Sequence, residues 1–434
     1  MERVLLKLCL IGFCVFSIIA YSDTNSSPPP GIILYIGDGM GVSHITLGAW
    51  AAETLGKKFM LYEMKDVLLV NTSSKTGRVT DSAAGATALS TGNKTLNGML
   101  GIDSGQINLK NISEILSEQG WSVGLVTTTT VTHATPAAFY AHDPNRSEEK
   151  RIARQIVSSP YIDVCLGGGR DMFPPIYMSM LHRQNVTVIK SEGELSNIKN
   201  IGERVLGVFA DGNMSYAIDK RSPSLEDMTR GAIDYLESKK KPFFLMVESG
   251  LVDFASHVHD APSLAREVLA LNDALGVGLD YQKRAPGSLI LVTADHSTAN
   301  PGLTDLIDMN ALMNFNVSSD SLTSLYLKTS DDTASMGIFR NLLPEDKIDT
   351  LLIHGLRSVD NPFHLSTEIG DYISKTFGVS FMPPIYQAKT SLAGHTGDYV
   401  PCFIAGNDAF IPATPIIDNT DIFNMILNYA KTIK

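Results

Sequence analysis

Short apolar runs recur along the chain, separated by stretches in which apolar residues return every three or four positions. The runs read GIILYIGDG, VLLVNTS, SVGLVTTT, DVCLGGG, VTVIK, RVLGVFA, PFFLMVES, SLILVTADH and VPCFIAG. Their length and their Val, Ile, Leu and Phe content predict strands. The helical spacing predicts helices near 147–157, 225–237, 262–279 and 419–431. Alternation of this kind implies an α/β fold, with a large, mostly parallel central sheet and helices on both faces. From about Pro301 to Lys389 the rhythm breaks, and the chain becomes more polar and helical. That stretch reads as an insertion into one α/β domain spanning 31–434.

The N-terminus does not fit this pattern. Arg3 and Lys7 precede an apolar run, and Ala20-Tyr21-Ser22 supplies small residues at the offsets of a cleavage site. Residues 1–22 therefore read as a secretory signal peptide, and 23–30 (DTNSSPPP) as a flexible leader. The run is short for a membrane span, and the C-terminal MILNYAKTIK has no apolar tail. The expectation is an exported protein, periplasmic or extracellular, without a membrane anchor. Its 434 residues are 44% hydrophobic and 19% charged, enough for a large core. A net charge of −11 argues against a nucleic-acid partner, which calls for a basic face. Outside the expected signal peptide only Cys165 and Cys402 remain, both in strand-like surroundings, and a disulfide between them stays open at this level.

In open parallel sheets, ligands bind beyond the carboxyl ends of the strands. Asp38 follows GIILYIG, Thr135 comes shortly after SVGLVTTTT, Glu248 follows PFFLMV, and Asp295-His296 follow SLILVTA. One such residue would be an ordinary turn former; four at one end of a sheet suggest a site. VESGLVDFASHVHD adds Asp253 and His257, four apart and so on one face of a helix. A carboxylate and an imidazole together suit zinc, with His259 and Asp260 as competing ligands. AGHTGD adds His395 between flexible glycines. IGDGMGV does not complete a dinucleotide fingerprint, because Val42 stands where the third glycine belongs.

RVTDSAAGATALSTG puts Asp81 and Ser82 at the start of a segment of very small side chains. It predicts a capped helix whose N-terminus attracts anions and whose small residues admit a ligand or another backbone. An ordinary capped helix against a crowded sheet is the alternative. Arg146, downstream of His133 and Thr135, is the guanidinium suited to a phosphate. Together these residues make two or three metal sites, one nucleophile and one anion clamp. Two ions roughly 4 Å apart suit in-line displacement at phosphorus.

At this point the chain resembles the alkaline phosphatase family. The resemblance rests on IGDGMG, VTDSAAGATA, THATPAA with Arg146, VESGLVDFASH, TADH and AGHTGD, and it runs over most of the chain after the leader. It implies hydrolysis of phosphate monoesters to alcohol and inorganic phosphate, with Ser82 becoming phosphorylated and Arg146 gripping the phosphate. It implies one zinc on Asp253, His257 and His395, and a second on Asp38, Asp295 and His296. A third ion, usually magnesium, would sit on Asp38, Thr135 and Glu248, with His133 beside it. Small phosphomonoesters would be the substrates, a homodimer the assembly, and 301–389 an insertion over the active site. Two departures are visible. His133 stands where some members carry an acidic residue, which bears on the third ion. Phe254 stands where some carry a polar residue that helps bind phosphate, so weaker phosphate binding and easier product release are expected. A phosphodiesterase or sulfatase of the same superfamily, and a secreted metal or phosphate binder without activity, are the rival readings.

Overall fold

The computed structural model describes residues 28–202, 204–329, 332–348, 356, 359, 361–382, 394–406 and 411–433. The expected signal peptide and residues 23–27 of the leader lie outside them. All nine apolar runs are strands: β1 Gly31–Gly37, β2 Asp66–Asn71, β3 Ser122–Thr130, β4 Val164–Gly168, β5 Val186–Ile189, β6 Arg204–Val208, β7 Phe243–Ser249, β8 Leu289–Thr293 and β11 Val400–Ala405. Three short strands escaped the pattern: β9 Ser297–Thr298, β10 His395–Thr396 and β12 Ile416–Asp418. Two or three residues are too few to show a period.

Ten strands form one sheet in the order β12-β2-β11-β8-β1-β7-β3-β4-β6-β5. Every neighbouring pair is parallel except those of β11, which runs antiparallel to β2 and β8. β9 and β10 form a separate antiparallel ribbon. The predicted helices are Glu149–Ser158, Leu225–Ser238, Ala261–Arg284 and Asn419–Ala430. Helix Ala261–Arg284 packs with Val42–Thr54 and Leu225–Ser238, while Asn419–Ala430 packs with Ser82–Thr91. These two groups cover the sheet. β1 and β7 at its centre are buried at every position, which explains their unbroken apolar sequences.

Between β9 and β10 the described residues carry the helices Met309–Asn314, Ser319–Tyr326, Asp332–Arg340 and Pro362–Thr376. Cys165 and Cys402 are free and buried, on β4 and β11. Those strands are five ladder steps apart, roughly 24 Å at strand spacing, so the open disulfide is excluded.

Helix Ala261–Arg284 lies against β1 at one close crossing. A Cβ on Gly278 would fall 2.3 Å from the Tyr35 hydroxyl, which donates to the Ala274 carbonyl at 3.0 Å. We therefore expect Gly278→Ala to cost about 1–3 kcal/mol by overpacking. The cost should be smaller in a Tyr35→Phe background, where the oxygen is gone. Urea unfolding of the four proteins in that cycle measures the coupling; additive effects would mean that the helix sits elsewhere.

Candidate active site

Four neighbouring strands, β8-β1-β7-β3, deliver the site. In the ladder Ile36 stands opposite Glu248 on β7 and Thr293 on β8, and Glu248 stands opposite Thr127 on β3. The chains therefore leave the sheet at one level, and Asp38, Glu248 and Asp295 meet there without solvent exposure. Immediately after Asp38 the chain turns through Gly39, whose φ is 69°. A Cβ there would meet Asp253 Oδ1 at 2.8 Å, so glycine is required for both reasons. The Gly39 amide donates to Asp295 Oδ1 at 3.2 Å, tying the β1 end to the β8 end. Asp253 and His257 sit on helix Leu251–His257 directly after β7, with His257 Nε2 3.2 Å from Asp253 Oδ2. His395 comes in on the β9–β10 ribbon, where it pairs with Thr298.

The small-residue segment is helix Ser82–Thr91, capped by Asp81, which accepts from the Ala84 amide at 3.0 Å. All ten of its residues are buried. A Cβ on Gly85 would lie 3.0 Å from the Asp295 carbonyl, so the small side chains let the helix start close to the metal-type ligands. Ser82 Oγ lies 3.2 Å from His296 Nε2.

The hydrogen bonds fix which imidazole nitrogens carry protons. His395 Nδ1 lies 3.0 Å from the Thr80 carbonyl, an acceptor only, so Nδ1 carries the proton. Its Nε2 lone pair then faces His257 Nε2 at 3.2 Å and Asp253 Oδ1 at 3.7 Å. Thr298 donates its hydroxyl proton to Asp253 Oδ1 at 2.6 Å, so its oxygen accepts from His296 Nδ1 at 3.2 Å. That leaves His296 Nε2 as a lone pair, 3.4 Å from both Asp38 Oδ1 and Asp295 Oδ2. Backbone or side-chain partners on Nδ1 with a free Nε2 are how metal-binding histidines are oriented.

Arg146 bonds Asp81 Oδ2 through Nη1 at 3.2 Å and His133 Nε2 through Nη2 at 3.0 Å. His133 Nε2 therefore accepts, and its ring packs against Phe254 with centroids 5.7 Å apart. The Thr135 hydroxyl donates to Asp38 Oδ2 at 3.3 Å. Thus the metal-type ligands, Ser82, His133, Thr135 and Arg146 form one connected network, whereas His259 and Asp260, the competing ligands of the sequence reading, are bound elsewhere, His259 beside Asp371 and Asp260 to the Ser319 and Ser263 amides. Four supporting residues were missed. Thr127 and Thr129 both bond Glu248 Oε2, and the unusual TTTT run was their signal. Thr298 lies two residues past TADH with no motif of its own, and Asp81 was read as a helix cap and not as the carboxylate that holds Arg146.

Donor atoms of three groups fall within 4.8 Å of one another: Asp253, His296 and His395; Asp38, Asp295 and His296; and Asp38, His133 and Glu248. The groups overlap at Asp38 and His296. Asp38 Oδ1, Glu248 Oε1 and Asp295 Oδ2 are buried and have no protein partner. Burial, then the facing carboxylates of Asp295, Asp253 and Glu248, pushes Asp38 well above the usual carboxylate range. Burial, offset in part by Thr127 and reinforced by Asp295, pushes Glu248 up to about 8. Burial and then Asp253 push Asp295 up to about 7. Asp253 is the opposite case: burial raises it, but His257, His395 and His296 outweigh that and hold it well below its ordinary value. Burial and then Arg146 lower His133 to about 3. Unpartnered oxygens on mutually repelling buried carboxylates are an arrangement that bound cations complete, so the residues fit divalent metals.

Comparison with known proteins finds relatives along nearly the whole chain. Residues 31–338 match the family described as alkaline phosphatase. The chain is similar to alkaline phosphatase 4 of Bacillus subtilis, with 31% identity over 93% of this chain and 89% of that one. Among solved structures it is similar to the alkaline phosphatase of Thermus thermophilus, at a TM-score of 0.81 and 26% identity, covering 94% of this chain and 92% of that one. It is also similar to the cold-active alkaline phosphatase of a psychrophilic Shewanella, at a TM-score of 0.79 and 27% identity, covering 92% and 99%.

The carboxylate shifts carry a stability consequence for metal-free protein. The pKa values of Glu248 and Asp295 in the folded state lie above the unfolded value of about 4, so the folded state holds protons that the unfolded state gives up. Their contribution is complete below that unfolded value and is lost as pH rises through about 7 for Asp295 and about 8 for Glu248. Chelator-stripped protein should melt at least about 3 °C lower at pH 8.5 than at pH 5.5. Zinc-loaded protein should not, because metal takes the place of those protons. Calorimetric scans at the two pH values decide it; metal-free protein that is more stable at the higher pH would contradict the burial of these groups as acids.

Proposed function

This chain belongs to the alkaline phosphatase family and is a phosphatase acting on phosphate monoesters; from that premise we propose that turnover passes through a phosphoserine on Ser82. The observation that carries the proposal is Ser82 Oγ, 3.2 Å from His296 Nε2, at the edge of three overlapping groups of metal-type donors. Asp253, His257 and His395 would hold one zinc, Asp38, Asp295 and His296 a second. Asp38, Thr135 and Glu248 would hold a third ion, magnesium by the preference of an all-oxygen set. Bound there, the ions would supply positive charge that activates a hydroxyl and neutralises phosphoryl oxygens.

The chain's own residues do the rest. The helix cap of Asp81 fixes the first turn, so Ser82 presents Oγ at one orientation to phosphorus. In the first step Ser82 gives up its hydroxyl proton and a Ser82 Oγ–P bond forms as the bond from phosphorus to the leaving oxygen breaks, that oxygen taking up a proton to leave as the alcohol. In the second, water attacks phosphorus and loses a proton as the Ser82 Oγ–P bond breaks, and Ser82 regains its hydroxyl proton as phosphate is released. Arg146 is held in its place by Asp81 and His133 and presents a guanidinium to two phosphoryl oxygens. Phe254, beside His133, offers no polar group to phosphate, which favours release. Export, a homodimeric assembly, no nucleic-acid partner and a single 31–434 domain with an insertion at 301–389 complete the proposal, on the N-terminal pattern, the family, the net charge and the break in the strand–helix rhythm.

Chelation should abolish hydrolysis of a chromogenic phosphate monoester, and zinc should restore it, with magnesium adding an increment. Ser82→Ala should lose several orders of magnitude in rate while keeping its zinc. A variant with more than about a tenth of wild-type activity would rule out Ser82 as the nucleophile.

Arg146 separates monoesterase from diesterase. A monoester dianion offers the guanidinium two free oxygens, and each charge-assisted bond is worth roughly 1.5–3 kcal/mol. Arg146→Ala should therefore lower monoester kcat/KM by about a hundredfold or more and diester kcat/KM by less. Equal losses, measured at one pH and one metal loading, would remove the clamp from the mechanism.

A further inference from the structure

The helices between β9 and β10 do more than fill the space between two strands. Their contacts converge on the five-residue turn that follows Asp253, from His257 to Ala261. Ser374, buried on helix Pro362–Thr376, donates its hydroxyl proton to the His259 carbonyl at 2.6 Å and accepts from the Ala261 amide at 2.8 Å. One side chain thus bridges both strands of the turn. Four residues earlier, one helical turn away, Gly370 meets the same turn: a Cβ there would stand 2.1 Å from the Val258 carbonyl. Asp371 Oδ1 lies 3.4 Å from His259 Nδ1. On helix Ser319–Tyr326, the Ser319 amide donates to Asp260 Oδ2 at 2.7 Å. Phe381 stacks on the His259 ring at 5.0 Å with planes 4° apart.

The turn needs such support. His259 has a φ of 53°, a left-handed conformation that a histidine adopts at a cost. His257 is the last residue of its short helix, and helix ends fray unless they are tied down. Its ring is also the most exposed of the Asp253, His257 and His395 set, at 21% of the side chain. His395 has the Thr80 carbonyl to orient it; His257 has the backbone geometry of this turn.

We propose that helix Pro362–Thr376 is a positioning element for His257, acting through Ser374 and Gly370 on the 257–261 turn. The proposal rests on the reading that Asp253, His257 and His395 hold a zinc ion. It predicts an effect confined to one of two ions: loosening the turn should weaken zinc on the His257 set and leave the Asp38, Asp295 and His296 set intact, because those ligands leave β1 and β8 directly.

The test is a calorimetric titration of the full chain, stripped with chelator, with zinc alone. His257→Ala identifies the binding step that belongs to its set. Ser374→Ala, Gly370→Ala and Asp371→Asn should each weaken that same step, Ser374→Ala by about tenfold or more, and leave the other step within about twofold. Glu368→Ala, on the exposed side of the same helix, should change neither. Asp371→Asn removes one charge at a partly exposed position and is the arm least able to disturb folding. Unchanged affinities in folded Ser374→Ala and Asp371→Asn would overturn the inference. So would an equal fall in both steps, which would show general loosening. Wild-type protein that takes up no zinc would overturn the metal reading, and this inference with it.

Discussion

Three carboxylates, Asp38, Glu248 and Asp295, share one dry volume at the ends of adjacent strands, and they cannot all be charged there without cations. Most of what surrounds them follows from that constraint. Two threonines on β3 satisfy one oxygen of Glu248 and leave the other for an ion. The Gly39 turn brings an amide onto Asp295. Arg146 lowers Asp38 less than burial and the neighbouring carboxylates raise it, and its hydrogen bonds go to Asp81 and His133. Positive charge at the carboxylates therefore has to come from outside the chain.

The parallel sheet is what makes such crowding achievable. Repelling groups held on loops would drift apart; here each stands within two residues of a strand that is locked into a ladder on both sides. The register Ile36–Glu248 and Ile36–Thr293 puts Asp38 and Asp295 level with each other, two residues beyond Glu248. Core packing of β1, β7 and β8 thus offsets the electrostatic cost of assembling the site, and the cost falls away when ions bind.

Much of this was legible in the sequence. The unbroken apolar runs reported strands buried on both faces, and polar residues at their C-terminal ends reported the site. What stayed hidden has physical reasons. β9 and β10 are two residues each, so no period could reveal the ribbon that delivers His395. β12 is an edge strand of three residues. The antiparallel sense of β11 left no mark, since a strand reads the same in either direction. Thr298 fixes the tautomer of His296, two residues away, only because it has already given its proton to Asp253, a carboxylate 45 residues distant that no local motif ties to it. The helix 362–376 could be seen as polar and helical, but not what its Gly370 and Ser374 would touch.

The ligand-type residues enter the site in a fixed order along the chain. Asp38 is almost the first residue of the fold, and His395 lies on a ribbon only about forty residues from the C-terminus. Only when β10 closes on β9 does His395 join Asp253 and His257. Closure of a ribbon two residues long thus brings an imidazole to partners laid down 138 residues earlier or more.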